Sequence, residues 1–344
     1  MDGLGRQLAA VADTVGPRTG LVVAAETPGG AAALCRGAAD RAGATPVTDR
    51  TRFEIGSVTK TFTVLLLAEM AARGEVALGD PAGARGRPIT LEHLATHTSG
   101  LPRLPRGLLR TALPGWFTNP YARYPPERLL PALARTRVRR TPGTRVRYSN
   151  FGVGLLGRLL AEEAGTDYAA LLDARLLGPL GLGDTTTDPT LPQATGHWRG
   201  RPLPPWRIPA LPGAGALRSS AADLLRFLGA HTAPDAFGAP DAAAPNGPLH
   251  AALREVLRPR SPGPGGPELP LAWSRRARPG HALYFHSGGT RGTSAFVGFC
   301  PAPRVHVVAL AATAPTLRGR FIQEAYLLLR ALAAAAVTSP ADPS

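Results

Sequence analysis

A chain of 344 residues with 44% hydrophobic content can bury a large core, which excludes a disordered or fibrous polymer. Its net charge of +15 rests on 39 basic residues, among which Lys60 is the only lysine. Aromatics make up only 6% and no basic–aromatic module occurs, which argues against nucleic-acid binding, although a basic surface attracts anionic substrates or an acidic partner such as an acyl-carrier protein.

In chain order, residues 3–15 read as a short amphipathic helix. Residues 20–26, a Thr-Pro-Gly-Gly turn and residues 31–41 read as a β-hairpin. An extended segment, 51–57, leads into a long apolar helix over 58–74 that Gly74 closes. A helix-rich and loop-rich region follows to about 265, with helices expected at 151–165, 167–181 and 219–231. Residues 232–269 are dense in Pro, Gly and Ala and read as an exposed, mobile loop with a helical patch at 249–257. Strand character returns at 281–289, 293–300 and 304–313, before a last helix at 318–336 and a frayed tail at 338–344.

Strands at both ends with helices between them predict an α+β fold. The N- and C-terminal strands share one antiparallel sheet flanked by helices, giving a lobe of about 1–75 and 270–336. A mainly helical lobe covers about 76–269, and 1–344 form a single domain. Cys35 and Cys300 are too few for a disulfide framework and are expected as free, buried thiols. The N-terminus shows no leader pattern and no run of 18 apolar residues occurs. The expectation is a soluble cytoplasmic protein with no membrane partner.

Three motifs carry chemistry. In Ser57-Val58-Thr59-Lys60, positions i and i+3 of a helix put the hydroxyl beside the amine. A desolvated neutral lysine can take a proton from serine, whereas arginine stays protonated. A chain that otherwise uses arginine has lysine here. The second motif is Tyr148-Ser149-Asn150, and the third is His286-Ser287-Gly288, followed by Gly289.

Ser-x-x-Lys, Tyr-x-Asn and a Lys/His-x-Gly strand, in this order, resemble the three signatures of penicillin-recognising serine enzymes. The Tyr-x-Asn form is similar to the branch holding class C β-lactamases, D-alanyl-D-alanine carboxypeptidases, esterases and acyltransferases. LATHTSGLP (94–102), PGTRVRYSNFGVGLLGRLL (142–160) and PGAGALRSSAADLLRF (212–227) extend the likeness, which covers about residues 45–300. The resemblance implies a β-lactamase-like fold, Ser57 as nucleophile, and Lys60 and Tyr148 as proton carriers. It implies that Asn150, His286, Ser287, Gly288 and Gly289 bind substrate, and that the backbone amides of Ser57 and Gly289 form an oxyanion hole. It implies no cofactor and no metal.

His286 stands where β-lactamases of this class carry lysine, which removes a permanent charge and points to esters, amides or peptides ahead of β-lactams. The expected function is a serine hydrolase of a small-molecule or peptide substrate. The alternatives are an acyltransferase on the same intermediate and a catalytically inactive sensor. His97 reads as structural, and Gly152-x-Gly154-x-x-Gly157 as close helix packing in place of a dinucleotide site. The aromatic 103–125 segment reads equally as a wall over Ser57 and as a self-packed surface loop.

Overall fold

The computed structural model describes residues 3–82, 89–138, 140–236, 247–260, 269–316 and 319–338. Six antiparallel strands form the central sheet: β1 (Leu21–Thr27), β2 (Gly30–Arg36), β3 (Ser274–Arg278), β4 (His281–Gly289), β5 (Ser294–Cys300) and β6 (Val305–Ala311). Their spatial order is β2-β1-β6-β5-β4-β3. The sheet joins the two ends of the chain through β1 and β6, with Leu21 opposite Ala311 and Glu26 opposite His306.

Helices α1 (Gly3–Ala12), α2 (Thr59–Ala72), α3 (Asn150–Glu163), α4 (Ala221–Thr232) and α5 (Arg320–Thr338) surround it. Leu21, Val23, Phe296, Val305 and Val307 pack beneath α1 and α5. Val22, Val297, Phe299, Val308 and Leu310 face the opposite core, with α2 and α4. Both faces are therefore covered, which is why β1, β5 and β6 read as nearly continuous apolar runs without polar alternation. His306 interrupts β6 and stays satisfied, with Nδ1 2.9 Å from Glu26 Oε2 and Nε2 2.9 Å from Thr232 Oγ1.

Helix α2 is buried from Thr59 to Met70, as an all-round apolar helix must be. Its polar groups find internal partners: Thr63 Oγ1 lies 2.7 Å from Gly213 O, and Glu69 pairs with Arg73 and Arg175. Helix α5 has the length and apolarity of a membrane span. Its Phe321, Ala325, Leu328, Leu329 and Leu332 pack on the sheet.

The structure corrects several expectations. Residues 167–181 are not one helix: Tyr168–Leu172 gives way to a wider turn at Asp173–Leu177 and a last short turn at Gly178–Leu180. Pro179 lacks an N–H and crowds the preceding turn, so the regular ladder cannot run through. Cys35 is exposed, because β2 is an edge strand, whereas Cys300 is buried; both thiols are free. Within 232–269 the helical patch expected at 249–257 is present as helix Pro248–Glu255, which buries Leu249, Ala252 and Leu253. Residues 237–246 and 261–268, and the tail 339–344, lie outside the described residues. Strand β3 was not anticipated, because Ser-Arg-Arg-Ala-Arg is an exposed edge with no apolar alternation. The glycine motif packs a helix: a Cβ on Gly154 would meet the Leu211 side chain at 2.4 Å.

His231 lies in the core on α4, with its ring against Phe227, Trp273 and Phe299. Its Nδ1–H donates to Phe227 O at 2.8 Å and its buried Nε2 has no partner among the described residues. Burial pushes its pKa down to about 4. The unfolded chain therefore binds a proton between pH 6.5 and about 4 that the folded chain refuses, and stability falls with pH across that window. The ceiling for this one group is about 3 kcal/mol. Thermal melts from pH 7 to pH 4 should show a steep acid limb, and His231→Phe should flatten it; an unchanged limb would count against this origin.

Candidate active site

The site begins where a 3₁₀ turn, Gly56–Val58, feeds into α2. Ser57 sits at this junction with its Oγ 3.1 Å from Lys60 Nζ, the spacing of one helical turn. Lys60 is fully buried and donates to Ala214 O at 2.6 Å. Burial lowers its pKa, Arg103 adds to the effect, and Tyr148 pulls the other way. Tyr148 Oη lies 2.7 Å from Ser57 Oγ, and Lys60 Nζ stands 5.0 Å from the centre of the Tyr148 ring. Burial alone would raise the phenol pKa; Lys60, the Ser57 hydrogen bond and Arg103 outweigh it and leave it below its ordinary value. Ser57 thus has two proton carriers within hydrogen-bonding distance, and these titrate as a coupled pair.

Tyr148 is held from both sides. Arg147 N–H donates to His97 O at 2.7 Å, and Ser149 N–H donates to His97 Nδ1 at 3.2 Å. The His97 ring packs on Tyr148, with centroids 4.5 Å apart. Burial lowers the His97 pKa to about 3, so its Nδ1 is available as an acceptor. Ser149 caps α3, accepting from Gly152 N–H at 2.9 Å while donating to Pro102 O at 2.7 Å. Asn150, in the first turn of α3, donates through Nδ2 to Tyr121 Oη at 2.9 Å. Its Oδ1 is buried and, among the described residues, has no partner, an acceptor on the wall of the cavity that Ser57 also lines.

Strand β4 closes the other side. A Cβ on Gly56 would lie 2.7 Å from Gly289 N, and one on Gly288 would lie 3.0 Å from Ser57 N. Only glycines permit this approach, which brings the amide-bearing backbones of Ser57 and Gly289 to the wall of one cavity. That cavity holds about 320 Å³ and is completed by Tyr121, Trp206, Ile208 and Arg291. A second cavity of about 560 Å³ lies across Arg103 and Tyr148, lined by His97, Trp273, His286 and Ser287. His286 is buried, its Nδ1–H donates to Ser287 O at 2.8 Å, and burial followed by the Lys60 charge lowers its pKa to about 4. His286 is therefore uncharged at neutral pH.

Of the residues singled out from the sequence, Lys60, Tyr148, Asn150, Gly288 and Gly289 meet around Ser57, whereas His286 and Ser287 line the neighbouring cavity across Tyr148. The 103–125 segment divides its roles: Tyr121 lines the site, Tyr124 is buried in the core, and Trp116 and Phe117 are exposed. Glu54 escaped the sequence reading. It accepts from Trp206 N–H at 2.6 Å and Thr290 Oγ1 at 2.7 Å, tying together two walls of the Ser57 cavity. Its flanking sequence, Arg-Phe-Glu-Ile, reads only as a strand entry. Among the described residues no three His, Cys, Asp or Glu side chains converge to hold a metal ion.

The β-lactamase family model matches residues 6–332, and the chain belongs to that family of penicillin-recognising serine hydrolases. It is 33% identical over 189 residues to the D-alanyl-D-alanine-carboxypeptidase/endopeptidase AmpH of Escherichia coli K12, covering 51% of this chain and 47% of that protein. It is 31% identical over 224 residues to a β-lactamase of Pseudomonas fluorescens, covering 61% and 58%. The chain thus spans about half the length of these curated relatives. In structure it resembles a class C β-lactamase with a TM-score of 0.79 at 21% identity, covering 96% of both chains. It equally resembles the β-lactamase/D-alanine carboxypeptidase of Pseudomonas syringae, with a TM-score of 0.78 at 24% identity, covering 99% and 100%.

Proposed function

We propose that this protein cleaves an ester, amide or peptide bond through an acyl-enzyme on Ser57. The observation that carries the reading is Ser57 Oγ lying within 3.1 Å of a buried lysine and 2.7 Å of a tyrosine hydroxyl. Ser57 Oγ attacks the substrate carbonyl and its proton passes to the Lys60–Tyr148 pair. The backbone N–H groups of Ser57 and Gly289 receive the oxyanion. Tyr148 returns the proton to the leaving group as the carbon–heteroatom bond breaks. The same pair then activates water, which releases the acid and restores Ser57.

The vacant Oδ1 of Asn150 is placed to accept from the acyl portion of the substrate. An uncharged His286 offers no fixed cation to a substrate carboxylate, which supports esters, amides and peptides ahead of β-lactams. An alcohol or amine in place of water would make the same intermediate an acyl donor, and an inert site would make the protein a sensor.

A fluorophosphonate should add one adduct to the wild-type chain, mapped to Ser57 by mass spectrometry, and none to Ser57→Ala. An unlabelled wild type would remove the acyl-enzyme and leave the sensor. Release of p-nitrophenol that yields free acid supports hydrolysis, whereas product formed only with an added alcohol or amine assigns transfer.

A further inference from the structure

The segment 135–147 carries six arginines and no acidic residue. Four of them, Arg137, Arg140, Arg145 and Arg147, join Arg106 around a concave basin of about 890 Å³. All five are exposed. Arg106 donates to Arg135 O at 3.1 Å; among the described residues the other four guanidinium groups have neither an ion-pair nor a hydrogen-bond partner. Other arginines of the chain stand against carboxylates, as Arg36 does with Asp13 and Arg175 with Glu75. Like charges gathered round a concavity raise its positive potential and concentrate anions there.

The basin adjoins the catalytic centre. Val146 lines both it and the cavity holding Tyr148, His286 and Ser287, and Arg103 lines both that cavity and the one at Ser57. Tyr148 hands its proton to the leaving group, so the leaving group projects over Tyr148, along the His286 cavity and toward the arginines. We propose that the basin binds a phosphate or pyrophosphate group carried on the leaving-group side of the substrate, an inference that rests on the acyl-serine reading. The basin has the size and concavity of a small-molecule site, where a protein partner would meet a flatter surface. Among the described residues no aromatic side chain lines it, so none offers a nucleic-acid base a stacking platform. Several converging guanidinium forks suit the multiple oxygens and charges of phosphate.

Calorimetric titration of the full chain with inorganic pyrophosphate at low salt tests the basin. The wild type should bind, and Arg137→Gln/Arg140→Gln/Arg145→Gln should bind at least tenfold more weakly. Arg18→Gln/Arg41→Gln/Arg330→Gln removes the same charge outside the basin and should stay within threefold of wild type. No binding by the wild type, or equal weakening in both variants, overturns the site. A matched pair of esters, 6-phosphohexyl acetate and hexyl acetate, tests the link to catalysis. The basin variant should lower kcat/KM for the phosphorylated ester at least tenfold relative to the neutral one. An unmoved ratio alongside lost pyrophosphate binding assigns the basin to a free polyanion and overturns the leaving-group assignment. A wild type that binds pyrophosphate yet takes no fluorophosphonate label overturns the acyl-serine reading, and with it the leaving-group assignment, while the basin stands.

Discussion

Lys60→Arg should slow acylation of Ser57 by about 10⁴-fold or more while the chain stays folded. The substitution keeps a basic side chain next to Ser57 but removes an amine that can give up and regain a proton. Lys60 is completely buried and its pKa is lowered by that burial, which favours the neutral amine. Arginine has no such state. The pH profile of wild-type kcat/KM should show the corresponding sign. Activity depends on a deprotonated base, so it falls as pH drops through the lowered value of the Lys60–Tyr148 pair. The rate of fluorophosphonate labelling is the direct measurement, and a thermal melt separates lost chemistry from lost fold. A Lys60→Arg enzyme labelled at wild-type speed would sink the assignment of the base.

Gly288→Ala should lower kcat by about 10²- to 10³-fold, the scale seen when an oxyanion donor is lost. The added carbon would sit 2.0 Å from Ile55 O, 2.9 Å from Val58 N and 3.0 Å from Ser57 N. All three are backbone atoms in or next to the turn that presents Ser57, so no side-chain rotation relieves the clash. Strand β4 must back away, which separates the Gly289 amide from Ser57. Overpacking of this kind destabilises by about 1–3 kcal/mol, so the melting temperature should fall as well. Substrate binding in the distant parts of the cleft is less affected, and the loss should appear in kcat more than in KM. Wild-type kcat with a normal melt would show that β4 and the turn are not coupled as described.

The serine–lysine pair was legible in the sequence because helical spacing is a local property. Tyr148 was not legible in that way. It lies 91 positions from Ser57, and no periodicity brings the two together; only the resemblance to a family did. The strands at both ends were readable from their apolar runs, yet β3 was not, since an exposed arginine-rich edge has no inward face to announce it. The partners of Asn150 and His286 were also hidden. Asn150 turns to Tyr121, and that contact depends on how the 103–125 segment folds back. His286 bonds to the carbonyl next to it, which any extended backbone allows and no residue pattern encodes. Glu54 was missed because its partners, Trp206 and Thr290, come from segments far along the chain.

The pairing of β1 with β6 sets an order on how the protein is made. Leu21 leaves the ribosome 290 residues ahead of Ala311, the residue it must face. Until β6 is made, the apolar run of β1 has the edge hairpin with β2 and helix α1 to shelter it, but not the strand that covers its other edge. The sheet that carries His286 and Gly289 assembles only when the last strands emerge, and contacts of such sequence separation form slowly. Until β6 emerges the nascent chain therefore carries a strand with one open, sticky edge, the situation in which holding chaperones decide between folding and aggregation.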